Sequence, residues 1–117
     1  MHIAIVEDEK KFVEQLEGYI IQYKKERNKD IKVSVFSDGE DIIEGYRCQY
    51  DIILMDIQME FMDGMTAAEK IRQLDNEVVI IFITNMIQYA VRGYEVDALD
   101  YVVKPIEYFA FSQKLDK

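Results

Sequence analysis

Five short apolar runs rich in β-branched residues recur along the chain, and the segments between them constrain the fold more than any other feature. The runs are Ile3–Val6, Ile31–Phe36, Ile52–Met55, Val78–Ile83 and Leu99–Val103. Each has the length of a strand. The first, third and fourth are almost continuously apolar, as expected of parallel strands covered on both faces. Helical periodicity fills the gaps. Val13, Leu16, Ile20 and Tyr23 make one stripe at steps of three or four residues. Ser37-Asp38-Gly39-Glu40 reads as a capping box ahead of Ile42, Ile43 and Tyr46. Asp63-Gly64 is a turn, followed by the stripe Met65, Ala68, Ile71 and Leu74. Ile87, Ala90, Val91 and Tyr94 form a fourth stripe, with Gly93 near its end. Pro105 ends the fifth strand and opens a fifth helix from about residue 106. Strand and helix alternating five times predict an α/β fold with a parallel sheet and right-handed crossovers.

Composition narrows the function classes. A chain of 117 residues fits one domain, and its half-hydrophobic composition supports a core without disulfide or metal staples. The net charge of -9 argues against nucleic-acid binding by this domain, because phosphate neutralisation needs clustered cations. The basic stretch Lys24-Lys25-Glu26-Arg27 is interrupted by an acid and ends a predicted helix. An acid excess suits a divalent cation or a basic partner. Cys48 is the only cysteine, is read as a small packing residue, and leaves no internal disulfide. His2 is the only histidine, which removes Ser-His, Cys-His and multi-histidine metal chemistry. No apolar stretch approaches the roughly 20 residues of a membrane span, and the start lacks a signal-peptide pattern. A cytoplasmic protein with no membrane contact is expected. The chain stops at Lys117 without a helix stop signal, so residues 1–117 are expected to form one domain of a longer protein.

Ligands of open α/β sheets bind beyond the carboxyl ends of the strands. Glu7 and Asp8 follow the first run, Asp56 the third, Thr84 the fourth and Lys104 the fifth. If those strands are neighbours, three carboxylates, a hydroxyl and an ammonium share one edge. Crowded carboxylates repel unless a cation compensates. A hard ion such as Mg²⁺ with oxygen ligands does so. A carboxylate beside it is a nucleophile toward phosphorus, with lysine and threonine to offset and hydrogen-bond the phosphoryl oxygens. Each residue also has a plainer role: Glu7 and Asp8 as acids in a first helical turn, Asp56 as a loop acid, Thr84 as a cap, Lys104 as a solvated charge.

The motifs Ile5-Val6-Glu7-Asp8-Glu9, Asp56-Ile57-Gln58-Met59, Met62-Asp63-Gly64, Phe82-Ile83-Thr84 and Tyr101-Val102-Val103-Lys104-Pro105 resemble the receiver domains of bacterial two-component response regulators over the whole chain. The stretch from Tyr89 to Tyr101 is similar to the LytTR branch. The resemblance implies a flavodoxin-like, doubly wound, five-stranded parallel sheet of order 2-1-3-4-5 flanked by five helices. It implies phosphorylation of Asp56 by a sensor histidine kinase. Mg²⁺ would be held by Asp8, Asp56 and the Gln58 carbonyl, with Glu7 helping through water. Lys104 and Thr84 would act on the phosphoryl group, Thr84 and Tyr101 would serve as the switch, and the bond before Pro105 would be cis. It also implies a homodimer formed on phosphorylation, DNA binding through a separate C-terminal domain, and no enzymatic activity beyond the domain's own phosphorylation and dephosphorylation.

Three residues depart from the family pattern. Glu7 replaces a frequent aspartate and reaches further. Glu60 replaces a common proline, which loosens the loop after Asp56. Asn85 follows Thr84 where a small residue is frequent. An aspartate-nucleophile phosphatase of the haloacid-dehalogenase type is an alternative, but it needs an acid where Gln58 stands. A receiver-like module that is never phosphorylated is the other alternative, and the retained acids, Thr84 and Lys104 argue against it. The Met-rich stretch of Met55, Met59, Met62 and Met65 reads as packing. The bulk of Asn85 predicts an altered phosphoryl lifetime. Dephosphorylation of Asn85→Ala should differ in rate from that of the wild type, and identical rates would refute the assignment.

Overall fold

A computed structural model describes residues 1–85 and 95–116. Five strands, β1 (His2–Val6), β2 (Lys32–Phe36), β3 (Ile52–Met55), β4 (Val79–Thr84) and β5 (Asp100–Val103), form one parallel sheet of order β2-β1-β3-β4-β5. The described helices are α1 (Lys10–Arg27), α2 (Gly39–Ile43), α3 (Gly64–Leu74) and α4 (Tyr108–Asp116). Four helices are thus described where five were expected. The expected fourth, carrying Ile87, Ala90, Val91 and Tyr94, lies outside the described residues. The flavodoxin-like class and strand order agree with the sequence.

Strand periodicity divides the core. Ala4 and Val6 of β1 point to a cluster with Ile53, Met55, Phe82 and the α3 residues Met65, Ala68 and Ile71. Ile3 and Ile5 point the other way, toward Phe12, Leu16, Ile20 and Tyr23 of α1 and Phe111 and Leu115 of α4. Alternate side chains leave opposite faces of a strand, so β1, β3 and β4 are buried on both. This is why those three runs read as continuously apolar.

Local details differ from the sequence pattern in four places. The buried stripe of α1 begins at Phe12, and Val13 is only half-buried. The cap of α2 is Asp38, whose carboxylate accepts from the Glu40 amide at 2.8 Å, whereas Ser37 bonds Asp41. Leu74 ends its helix 59% exposed, although Ile71 one turn earlier is fully buried. Cys48 is exposed rather than packed, with positive φ and its thiol toward the Leu74 carbonyl. The Met stretch is packing as expected, with Met55 and Met65 buried and Met59 and Met62 against the same cluster. His2 pairs with Ser34 at 2.7 Å. Asn28 in the left-handed region ends α1. The final helix is tied back to α1 by Arg27 to Asp116 at 2.9 Å and Tyr23 to Asp116 at 2.8 Å.

The register of α3 is testable. Ile71 is fully buried, so Ile71→Ala should cost about 2–5 kcal/mol in urea denaturation. Leu74→Ala, at the exposed end of the same stripe, should stay within about 0.5 kcal/mol. Equal losses at both positions would contradict this register.

Candidate functional site

The sheet's hydrogen-bond ladder runs one residue past the strand ends and delivers polar groups to one edge. The Glu7 amide donates to Phe36 at 2.9 Å, the Asp56 amide to Val6 at 3.0 Å, and the Lys104 amide to Thr84 at 2.9 Å. Glu7, Asp56 and Lys104 therefore inherit their positions from strand register. Glu7, Asp8 and Asp56 offer carboxylate oxygens that all lie within 4.8 Å of one another. Asp56, Asp8, Gln58, Thr84 and Lys104 line one open cavity of about 340 Å³, together with Glu9, Met59, Glu60 and Asn85.

Lys104 binds the acids together. Its Nζ lies 2.7 Å from Glu7 Oε1, 3.0 Å from Asp56 Oδ2 and 3.8 Å from Glu9 Oε2. The ring of Phe12 covers it at 4.2 Å. Burial opposes the ammonium charge, but the hydrogen bonds to Glu7 and Asp56 more than offset this and raise the lysine above its ordinary pKa. Burial pushes the Glu7 carboxyl up to about 7. The charge of Asp56 adds to that rise, against hydrogen bonds from Lys104 and the Glu9 amide. Asp56 Oδ1 accepts from the Ile57 amide at 2.6 Å.

The donor set fits a divalent cation. Its carboxylates are hard oxygen donors, and three of them share a single ammonium. Asp8 is the exposed member, while Glu7 and Asp56 are buried. Glu7 engages Lys104 and the Glu9 amide directly. Neither Glu7 nor Asp8 serves as a side-chain cap of α1, whose N-cap is Glu9 without a side-chain bond.

The remaining residues named from the sequence also have defined positions. Thr84 closes β4 with no exposed surface. Tyr101 stands opposite Phe82 across the β4–β5 pairing, half-buried, with ring centroids 5.7 Å apart. Packing on the core thus accompanies any switch role. The Lys104–Pro105 bond is cis.

Three supporting residues take on roles that the motifs did not assign to them. Phe12 sits four residues before Leu16, a spacing that places it on the buried stripe. Asp38, at the start of α2, reaches across to the Phe61 and Met62 amides. Gly64 is required by close approach: a Cβ there would come within 1.9 Å of the Asp56 carbonyl oxygen. Its amide donates to Ile57 at 2.8 Å, so α3 begins pressed against the residue that follows β3.

The model of the response regulator receiver domain matches residues 3–116. The chain belongs to the response regulator receiver domain family. This receiver domain is 34% identical over 119 residues to the transcriptional regulatory protein YpdB of Escherichia coli K12, covering all of this chain and 47% of that protein. It is 34% identical over 108 residues to the sensory transduction protein LytR of Streptococcus mutans, covering 92% of this chain and 43% of that one. It therefore spans about half the length of the curated relatives it matches. Among solved structures, the response regulatory domain of protein mrkE from Klebsiella pneumoniae aligns with a TM-score of 0.87 at 28% identity, covering 99% of this chain and 93% of that one. No helix among the described residues is long and apolar enough to cross a membrane.

The close approach at Gly64 makes a prediction for the receiver. Gly64→Ala should lower stability by about 1–3 kcal/mol in denaturation and shift the NMR amide resonances of Asp56 and Ile57. Wild-type stability with unmoved resonances would rule out the contact as a positioning device.

Proposed function

We propose that this receiver accepts a phosphoryl group on Asp56 from the phosphohistidine of a sensor kinase, with Mg²⁺ bound by Asp8, Asp56 and the Gln58 carbonyl. The observation that carries the reading is that Asp56 belongs to the acid cluster, pairs with Lys104 and lines an open polar cavity. The cation, when bound, offsets charge on the acids and on the incoming phosphoryl oxygens.

A carboxylate oxygen of Asp56 attacks phosphorus as the bond from phosphorus to the histidine nitrogen breaks. That nitrogen keeps the electron pair and takes a proton from solvent. Lys104, held against Asp56 beforehand, follows the negative charge outward onto the phosphoryl oxygens. Glu7 holds the other side of the lysine, so the ammonium keeps one carboxyl partner throughout the transfer. The hydroxyl of Thr84 hydrogen-bonds a phosphoryl oxygen, and Tyr101 changes rotamer with it. Hydrolysis later returns Asp56 to a carboxylate, so the domain turns over only its own phosphorylation.

In this reading the signal alters self-association through the face carrying β5 and α4, favouring a homodimer. The output passes to a C-terminal LytTR-type DNA-binding domain of a cytoplasmic transcription regulator. The names of the YpdB and LytR relatives, and their roughly doubled length, support that last step.

Incubation with Mg²⁺ and a small phosphodonor should add one phosphoryl group by intact mass. Asp56→Asn should remain unmodified, as should the wild type after chelation of the metal. An unmodified wild type, also after treatment with its purified cognate kinase, would favour a receiver that binds partners without phosphorylation. Sustained turnover of phosphate esters would favour a phosphatase.

A further inference from the structure

The loop that carries Gln58 and lines the cavity is gripped by a carboxylate outside the acid cluster. Asp38 is 5% exposed and stands in the turn after β2. Capping α2 needs one hydrogen bond, from the Glu40 amide at 2.8 Å. The same side chain accepts two more from the loop after β3. Oδ1 receives the Phe61 amide at 2.9 Å, and Oδ2 the Met62 amide at 3.0 Å. The two turns are also in backbone contact. The Gly39 amide donates to Met62 at 3.2 Å, and a Cβ on Gly39 would lie 2.6 Å from the Met62 carbonyl oxygen.

The loop from Ile57 to Asp63 is thus held at both ends. Near its start, Ile57 accepts from the Gly64 amide and donates to Asp56. Near its finish, Asp38 fixes Phe61 and Met62. Gln58, Met59 and Glu60 lie between these points and face the cavity. Glu60 lacks the backbone restriction of a proline. The loosening expected from Glu60 is opposed by these bonds.

We propose that Asp38 is a positioning residue for the metal and phosphoryl pocket, acting through the Phe61 and Met62 amides on the backbone that presents Gln58. This rests on the reading of Asp56 and Mg²⁺ above. Asp38 touches neither the metal nor the phosphoryl group in this role. It fixes the place of a carbonyl ligand, as outer hydrogen bonds fix ligands in other metal sites.

Mg²⁺ titration by calorimetry tests this without reference to activity. Asp38→Ala should weaken Mg²⁺ binding about tenfold and speed hydrogen exchange at the Phe61 and Met62 amides. Asp38→Asn keeps one acceptor oxygen and should fall between wild type and Asp38→Ala. Tyr46→Phe is the control. It removes a 2.8 Å bond to Asp75 far from the pocket, and should lower stability while leaving Mg²⁺ affinity unchanged. If Asp38→Ala fails to fold, Asp38→Asn decides. Wild-type Mg²⁺ affinity in the folded Asp38 variants overturns the proposal, as does an equal loss of affinity in Tyr46→Phe. A wild type that binds Mg²⁺ and accepts phosphoryl, beside unchanged Asp38 variants, overturns this inference alone. A wild type that binds no Mg²⁺ overturns both readings.

Discussion

The ion pairs of Lys104 with Glu7 and Asp56 set the terms for the rest of the structure. All three side chains are at most 9% exposed. Burying charges is costly, and removing one partner from a buried pair commonly costs about 3–5 kcal/mol. The lysine therefore needs both acids, and the acids need the lysine. Phe12 adds a ring face over the ammonium and keeps water from that side. Yet the compensation is incomplete once Asp8 is included. A buried site with surplus negative charge either takes up protons or attracts a cation. Burial, with a smaller push from the charge of Asp56, raises the pKa of Glu7 in the first direction, and the oxygen-rich geometry suits the second.

Such a cluster tolerates little displacement, and the fold supplies position in two ways. The first is the ladder, whose bonds at Glu7, Asp56 and Lys104 make side-chain placement a consequence of strand register. A slip of one residue would turn these groups to the other face of the sheet. The second is close approach without side chains. Gly39 and Gly64 allow two turns to press on the backbone that follows β3. Glycine is needed at Gly64 because of the neighbouring carbonyl, since its backbone has no positive φ.

The sheet edge was legible because strand ends are marked by polar residues of unusual type. Glu7, Asp8, Asp56, Thr84 and Lys104 each stop an apolar run, and one topology brings them together. The strand bounds shift by no more than one residue from the sequence reading. The errors have a common origin, which is that tertiary contacts choose among locally equivalent residues. Phe12 and Val13 both suit a helix facing a core, and the orientation of α1 selects Phe12. Ser37 and Asp38 are both good caps, and only the loop after β3 explains the use of Asp38. Leu74 continues the helical stripe in sequence, yet it is exposed where Ile71 is buried. No local pattern reports that a carboxylate will hold amides more than twenty positions away.

The two sides of the pocket are not equally constrained. On the β1–β3 side, the backbone around Asp56 is fixed by Gly64, Asp38 and strands buried on both faces. On the far side, β5 is an edge strand whose residues are half-buried or exposed, with Val103 at 46%. Lys104 joins these sides through its side chain, and the ladder bond to Thr84 joins β5 to β4. A new charge on Asp56 would pull on Lys104 and Thr84 against unequal resistance. Displacement follows the element with fewer buried contacts. That element is β5, where Tyr101 packs on Phe82 and Asp100 pairs with Lys114 of α4. The backbone around Asp56 is thus the firmer side of the pocket, and the β5 edge the more yielding one.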